Sequence, residues 1–587
     1  MHFFNRSRIF PERELPEVED LVAEGHALSQ EVVVGTCPFL DHNSVKSEME
    51  YKQKEMRKGR IMLHAQIGYR SLKKTIHGFT KIYERITNAG YTIDRYGICL
   101  DWSMGYPSKI RTSMPQGTGL ILNKPEDFIS LTSAAPVAPH FGDFVIGTPA
   151  SVENAVAAIQ AGATTIGNIG QYFTFRMPRW QDDISTTAET VKALALCNAQ
   201  PVDVMIHSNL DDGFAALFRD MACSIGAILI EKYIIEDLMG GYISHCYGHT
   251  FSEPLTRFAF LQALSEVTET PGSMIYGNTT IYSSREIENY ANLASYLLID
   301  ILGQRIHPTG HGINPVPVTE ALHIPEIEDI INAHLVANRL IHRSEGYSSL
   351  LNCDIVNEKA SILIKGGILF KERVLTGLKE AGIDIANPFE ALLAIRRIGA
   401  KSLELAFGPG KIKDGQRAPV IKATTLNVLE KQSQELIGSL RKDLIQTIRN
   451  ARFSVCLACT DVHEYGKILV EETLKQLRVK IIDAGVSTDT NLLAEIAKKS
   501  NADFIAISTY SGVALNYLKS LRQDMSQIGL DIPIFIGGKL TQILDDSSLS
   551  RPAEVNEELQ SLGAIVCLKV EDMLIYLEKT ARGMFND

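Results

Sequence analysis

The chain reads as an α/β protein: a (β/α)8 TIM-like barrel followed by a doubly wound, flavodoxin-like parallel sheet. Three observations predict this. Short apolar runs alternate with amphipathic helical periods along most of the sequence, the pattern of parallel strands joined by helices. A stretch rich in Gly, Pro and Lys, LAFGPGKIKDGQRAPVIKATTL, divides a long array of such units from a shorter one. Finally, 587 residues exceed what one hydrophobic core can serve, so more than one domain is expected.

Taken in order, residues 1–60 read as an N-terminal arm packing on the barrel. The barrel itself spans 61–405, with candidate strands IMLHAQ, HFGDFVIG, ATTIGNIG, VDVMIHS, AILIEKY, GSMIYGN and QRIHPTG, most of them followed by helical periods such as ASVENAVAAIQAG. About eight such units suit a barrel whose active site lies at the strand C-termini, where the sequence places Gln66, Asn168, His207, Asn209, Asn278 and His311. Residues 406–449 form the linker. From 450 to 587, ARFSVCLACT, VKIIDAG, ADFIAIST, IPIFIGG and GAIVCLK are strands, separated by helices such as KILVEETLKQL and ALNYLKSLRQDMSQIG. In such sheets ligands bind beyond the carboxyl ends of the strands. The segments DVHEYG, STYSG and the Gly537-Gly538 pair all fall there.

Bulk composition excludes several classes. A formal net charge of -11 without any Lys/Arg-rich run argues against nucleic-acid binding. The longest apolar runs fall short of the roughly 20 residues of a membrane-spanning helix, and the early charges of MHFFNRSRIFPERELPEVED do not fit a secretory signal. A cytoplasmic location is expected. Nine cysteines, an odd number without regular spacing, suggest reduced thiols rather than a disulfide framework. Cys456 and Cys459 make a CxxC inside a strand-like run, which suits packing better than redox chemistry.

His463 stands at the start of a helix. Asp461, two residues earlier, can cap that helix, or it can fix the imidazole tautomer and raise its basicity toward a metal. Gly466 leaves space where a bulky side chain would obstruct a large planar ligand. Ser508 offers a hydrogen bond to a buried heterocycle, and Gly537-Gly538 lets backbone approach a ligand tail.

Asp461, His463 and Gly466 as D-x-H-x-x-G, then Ser508, then Gly537-Gly538, resemble the cobalamin-binding domains of the base-off, histidine-on type. The resemblance implies that His463 is the lower axial cobalt ligand, that Ser508 bonds the displaced base and that the glycines line its channel. Tyr510 departs from the usual leucine of the serine motif. The barrel segments HAQIGYRS, GYTIDRYG, IGTPAS, GNIGQYFTFRMP, HGINPVPVTEA and FGPGK resemble the catalytic subunit of glutamate mutase (methylaspartate mutase). That resemblance implies adenosylcobalamin as the cofactor and a radical carbon-skeleton rearrangement enclosed by the barrel; with no second nucleotide-binding motif, iron-sulfur cysteine cluster or zinc spacing in the sequence, cobalamin is expected as the only cofactor.

Departures from the family concern the substrate. Gly68, approximately Ile98, and Val145 stand where the family has its carboxylate-binding arginines, and Ile169 stands where it has an acid that meets the substrate amine. Phe175 keeps an aromatic position beside the substrate, whereas the next tyrosine becomes Arg179. Pro308 and Gly312 align with the lysine and glutamate that hold the adenosyl ribose, and His311 between them is kept. The expected substrate is therefore a small carboxylic acid or acyl derivative other than glutamate, or glutamate held by an altered grip. Arg176 and Arg179 are its candidate grip; His311 is a candidate acid or base; Phe175 and Asn168 are further candidates. Two alternatives stay open: a corrinoid methyltransferase, and a non-catalytic cobalamin sensor or carrier. A homodimer is expected by analogy with the family.

Overall fold

The computed structural model describes residues 4–216, 218–251, 253–413, 415–461, 464–542 and 553–584. The chain divides into two units, Met1–Met177 with Gln181–Ala423, and Pro178–Trp180 with Thr424–Asp587.

The first unit is a nearly closed barrel of eight parallel strands: β1 (Met62–Ile67), β2 (Arg95–Ile98), β3 (Ala138–Phe141), β4 (Thr165–Ile166), β5 (Met205–Asn209), β6 (Tyr242–Tyr247), β7 (Met274–Ile275) and β8 (Gly312–Ile313). Each strand pairs with its chain neighbour, β1 also pairs with β8, and the seam falls between β7 and β8. Alternation sorts the side chains. Leu63, Ala65, Ile67, Tyr96, Ile98 and Ile206 join the apolar layer under the surrounding helices, while the intervening positions of β1, β2 and β5 hold His64, Gln66, Arg95, Gly97, His207 and Asn209. A barrel interior is ordinarily filled by branched aliphatic residues. This one is filled by imidazoles, amides and a guanidinium.

Three strand expectations change. AILIEKY lies in the helix Met221–Lys232 and the turn after it, and the sixth strand is Tyr242–Tyr247. That helix is buried on nearly every face, so its sequence lacks the polar stripe that separates a helix from a strand. QRIHPTG begins as the end of the helix Glu286–Ile306, and the eighth strand starts only at Gly312. The second strand, Arg95–Ile98, is absent from the expected set because its inward residues are Arg95 and Gly97 rather than apolar ones. Residues 4–60 hold four helices. The last of these, Glu48–Arg57, carries the buried residues Glu48 and Lys52 against the barrel floor.

A small antiparallel pair, β9 (Ile412–Lys413) and β10 (Gln416–Arg417), follows the barrel helices. The second unit then opens with the helices Thr424–Ser439 and Lys442–Ala451. Its sheet comprises β11 (Ser454–Cys459), β12 (Lys480–Gly485), β13 (Phe504–Thr509), β14 (Ile534–Gly538) and β17 (Ile565–Cys567), all parallel, in the order β12-β11-β13-β14-β17. The short strands β15 (Thr541–Gln542) and β16 (Ala553–Glu554) form a separate ladder. Both faces of the sheet are covered. Cys456, Ala458, Ile505, Ile507, Ile534 and Ile536 pack toward one set of helices, and Val455, Leu457, Phe504, Ala506 and Phe535 toward the other. That two-sided burial explains why these strands read as continuous apolar runs. Cys456 and Cys459 are buried in β11, and all nine cysteines are free thiols.

Candidate functional site

In the second unit a groove opens at the carboxyl ends of the central strands. Its volume is about 560 Å³, and Gly466, Leu469, Ser508, Gly537, Gly538 and Cys567 are among the residues that line it. Register brings the motif residues together: Cys459 on β11 pairs with Ser508 on β13, and Ser508 pairs with Gly537 on β14. Gly466 lies in the first turn of the helix Tyr465–Gln476, where a Cβ would stand 2.6 Å from Ser508 Oγ. Any side chain there would displace the serine from the groove. Gly538 has φ +103, and a Cβ on it would meet Thr509 O at 2.3 Å, so only glycine suits this end of β14.

Asp461 is a buried hub. Its Oδ2 accepts hydrogen bonds from Ser511 Oγ at 2.8 Å, from Thr460 Oγ1 at 3.0 Å, and from the backbone N–H groups of Tyr510 and Ser511 at 3.2 Å. It thereby ties the loop after β11 to the loop after β13. Tyr510 contributes through its backbone, and its ring lies under Lys539 Nζ at 4.2 Å from the centroid. His463 lies outside the described residues. The helix Thr424–Ser439, expected as part of the linker, supplies Gln432 and Leu436 to the groove wall. Lys569, the N-cap of the last helix, and Val570, its first residue, line it too. These contributions escape a reading by motifs, because an amphipathic helix ahead of the first strand carries no ligand signature.

In the first unit the polar barrel interior is the candidate site. His64, His140, His207 and His311 surround Arg95, with ring centroids 5.0 Å apart for His140 and His207 and 5.6 Å for His64 and His311. Burial, reinforced by the charge of Arg95, holds His64, His140 and His207 well below the usual imidazole pKa, so each is neutral. His64 Nε2 lies 3.2 Å from Gln66 Oε1, and Gln66 Nε2 donates to Cys99 Sγ at 2.9 Å, carrying the polar chain to the strand C-termini.

Asn168 follows β4. Its Oδ1 accepts from Asn209 N at 2.8 Å and Gly170 N at 2.9 Å, and its buried Nδ2 has no partner among the described residues. Asn209 Nδ2 donates to Asp212 Oδ2 at 2.7 Å. Asp143, beyond β3, is pushed up to about 7 by burial and by the charge of Asp212. His249 and Asp211, which motif reading missed, form an ion pair at 3.0 Å in the loops after β6 and β5, and the aspartate lifts the imidazole pKa to about 9. A histidine paired with an acid nearly forty positions away in sequence has no local signature.

Other expected residues fall elsewhere. His311 precedes β8 at the N-terminal end of the barrel, where Arg95 Nη1 donates to its Nε2 at 2.9 Å and Lys52 Nζ lies 2.5 Å from its Nδ1. The cause is the later start of β8. Pro308 and Gly312 share that end of the barrel, and a Cβ on Gly312 would sit 2.5 Å from Met62 O. Neither position reaches the strand C-termini. Arg176 is engaged inside the barrel unit: Nη2 donates to Arg396 O at 2.9 Å, and burial beside the charge of Arg396 pushes it down to about 9. Arg179 is grouped with the second unit. Phe175 is buried between Phe144 and Trp102, with centroids 5.0 and 6.1 Å away. Asn278 Oδ1 caps the loop after β7 by accepting from Thr280 N at 2.8 Å.

No helix among the described residues is long and apolar enough to cross a membrane. None of their His, Cys, Asp and Glu side chains form a group of three that could hold a metal ion.

Residues 457–555 match the family model described as B12 binding domain. Two solved structures are similar over part of the chain. One is a cobalamin-binding protein from Desulfitobacterium hafniense DCB-2, 19% identical, covering 26% of this chain and 78% of that chain, with a TM-score of 0.19. The other is dihydrodipicolinate synthase from Agrobacterium tumefaciens str. C58, 12% identical, covering 59% of this chain and 100% of that chain, with a TM-score of 0.26. The groove beside Ser508 and the glycines Gly466, Gly537 and Gly538 is built largely on the strands that the family model matches. The second unit is therefore a cobalamin-binding domain, carried behind a β/α barrel.

Proposed function

We propose that the protein is an adenosylcobalamin-dependent carbon-skeleton mutase, similar in kind to methylaspartate mutase, acting on a small carboxylic acid or acyl derivative other than glutamate. Homolysis of the cobalt–carbon bond is the chemistry the cofactor supplies. The chain's own residues do the rest. His463 binds cobalt, Ser508 holds the displaced base, and Asp461 fixes the loops that carry both strands' site residues. The polar barrel interior orients substrate and excludes water from its radical.

The observation that carries this reading over a methyltransferase is the segment before the sheet. It holds only the helices Thr424–Ser439 and Lys442–Ala451, and the first of them already lines the cobalamin groove. A separate helical cap domain would need more chain. The change of substrate is supported by the aligned positions Gly68, Val145 and Ile169, which follow β1, β3 and β4 at the strand C-termini and are all uncharged.

The test is an absorbance titration of the purified protein with adenosylcobalamin beside His463→Ala. A base-off spectrum with saturable binding, weakened at least about tenfold in the variant, or about 1.4 kcal/mol, is expected. Candidate acids and acyl thioesters should then give a cobalt(II)-coupled radical signal. Cycling through cobalt(I) and methylcobalamin instead would establish methyl transfer.

A further inference from the structure

The barrel floor contains a lysine whose surroundings fix its protonation. Lys52 is 2% exposed, and its Nζ lies 2.5 Å from His311 Nδ1 and 3.1 Å from Glu48 Oε1. On the other side of the same ring, Arg95 Nη1 meets His311 Nε2 at 2.9 Å. A guanidinium can only donate, so Nε2 must accept. Burial and the charge of Arg95 are enough to keep His311 neutral. A neutral imidazole has one N–H, and with Nε2 accepting, that N–H is on Nδ1 and points at Lys52. The partner of an N–H must offer a lone pair, and an ammonium has none.

Charge counting agrees. The groups facing Lys52 are Glu48 on its own helix, Arg95 and Asp94 from the second strand region, His311 before β8, and His64 and His207 from β1 and β5. Asp94 is already matched by Arg60 and accepts from Tyr51 Oη at 2.6 Å. Glu48 Oε1 lies 3.2 Å from Arg95 Nε. One carboxylate and one guanidinium balance, and a charged Lys52 would be left over.

We propose that Lys52 is a free amine in the folded protein, accepting a hydrogen bond from His311 and donating one to Glu48, and that its protonation is a pH-operated release on the docking of the N-terminal helix Glu48–Arg57 to the barrel floor. A proton on Lys52 breaks the His311 contact and places a second cation beside Arg95. Burial brings the amine down to about 7, against an ordinary value of 10.5. This inference does not depend on the cofactor or the reaction.

The experiment is chemical denaturation of the full-length protein between pH 7 and 10, comparing wild type, Lys52→Met and Lys52→Arg. The unfolded lysine holds a proton across that window and the folded one does not. The wild type should therefore gain on Lys52→Met by up to roughly tenfold in folded-to-unfolded ratio per pH unit. Lys52→Arg, permanently charged, should be less stable than wild type throughout. Parallel curves for wild type and Lys52→Met, or an arginine variant as stable as wild type at pH 8, would overturn the proposal. If either variant does not fold, wild type labelled with 13Cε-lysine decides: one resonance with a midpoint near neutrality supports it, and none moving between pH 6 and 8 refutes it.

Discussion

Gly466 and Ser508 show how a single missing side chain shapes a binding groove. The helix Tyr465–Gln476 starts so close to β13 that a methyl group at position 466 would stand 2.6 Å from the serine oxygen. Gly466→Ala therefore has to rotate or push Ser508, which lines the groove proposed to hold cobalamin. Cobalamin affinity should fall roughly tenfold or more, about 1.4 kcal/mol, while the thermal midpoint of the ligand-free protein stays nearly unchanged. Gly466→Ala combined with Ser508→Ala should recover part of the space but none of the serine's hydrogen bond, leaving affinity between the two. A ligand-free protein that melts much earlier would instead make Gly466 a folding residue. The sequence announced these positions because they sit in one loop or at one strand end, and their spacing survives folding unchanged. It could not announce Asp211 with His249, which meet through the pairing of β5 with β6, or Lys52 with His311, which are 259 positions apart.

At the scale of elements, the second unit was readable because its strands are buried on both faces and its helices keep a polar stripe. The barrel was readable in class but not in detail. Met221–Lys232 is buried nearly all round and imitates a strand, and Gly312–Ile313 is too short to show any period. The helix Thr424–Ser439 passed for linker, yet it is anchored to the helix Tyr465–Gln476: Ser433 Oγ accepts from Gln476 Nε2 at 2.7 Å and lies 3.2 Å from Thr473 Oγ1. With Leu436 on the groove wall, this helix bounds the volume available to a ligand. Leu436→Trp should fill part of that volume and weaken cobalamin binding by about tenfold or more, roughly 1.4 kcal/mol, measured by the same titration. Unchanged affinity would mean that the ligand enters the groove without reaching this wall.

For the whole molecule, the distribution of charge inside the barrel sets how stability follows pH. Asp143 is held at about 7 against an ordinary 3.8, because it is buried and faces the charge of Asp212. Between those values the folded chain binds a proton there that the unfolded chain has released. Its contribution therefore favours folding in acid and turns into a penalty as pH rises through that window, complete above pH 7. Asp143→Asn removes the penalty. The variant should match wild type near pH 4 and exceed it increasingly up to pH 7, as read from urea midpoints at constant m-value. Lys52 works in the opposite direction above neutrality, so the double variant with Lys52→Met should lose both slopes independently, the two sites being on opposite ends of the barrel. A fold selected for stability alone would not keep two carboxylates beside each other at the strand C-termini and a lysine without its charge at the floor. Natural sequences keep such local conflicts where a site needs them. The expected gain in stability from Asp143→Asn is thus also a claim about function: the same variant should bind cobalamin normally and lose turnover once the substrate is known. An Asp143→Asn protein that is no more stable than wild type at pH 7 would show that the carboxylate is already ionised at no cost.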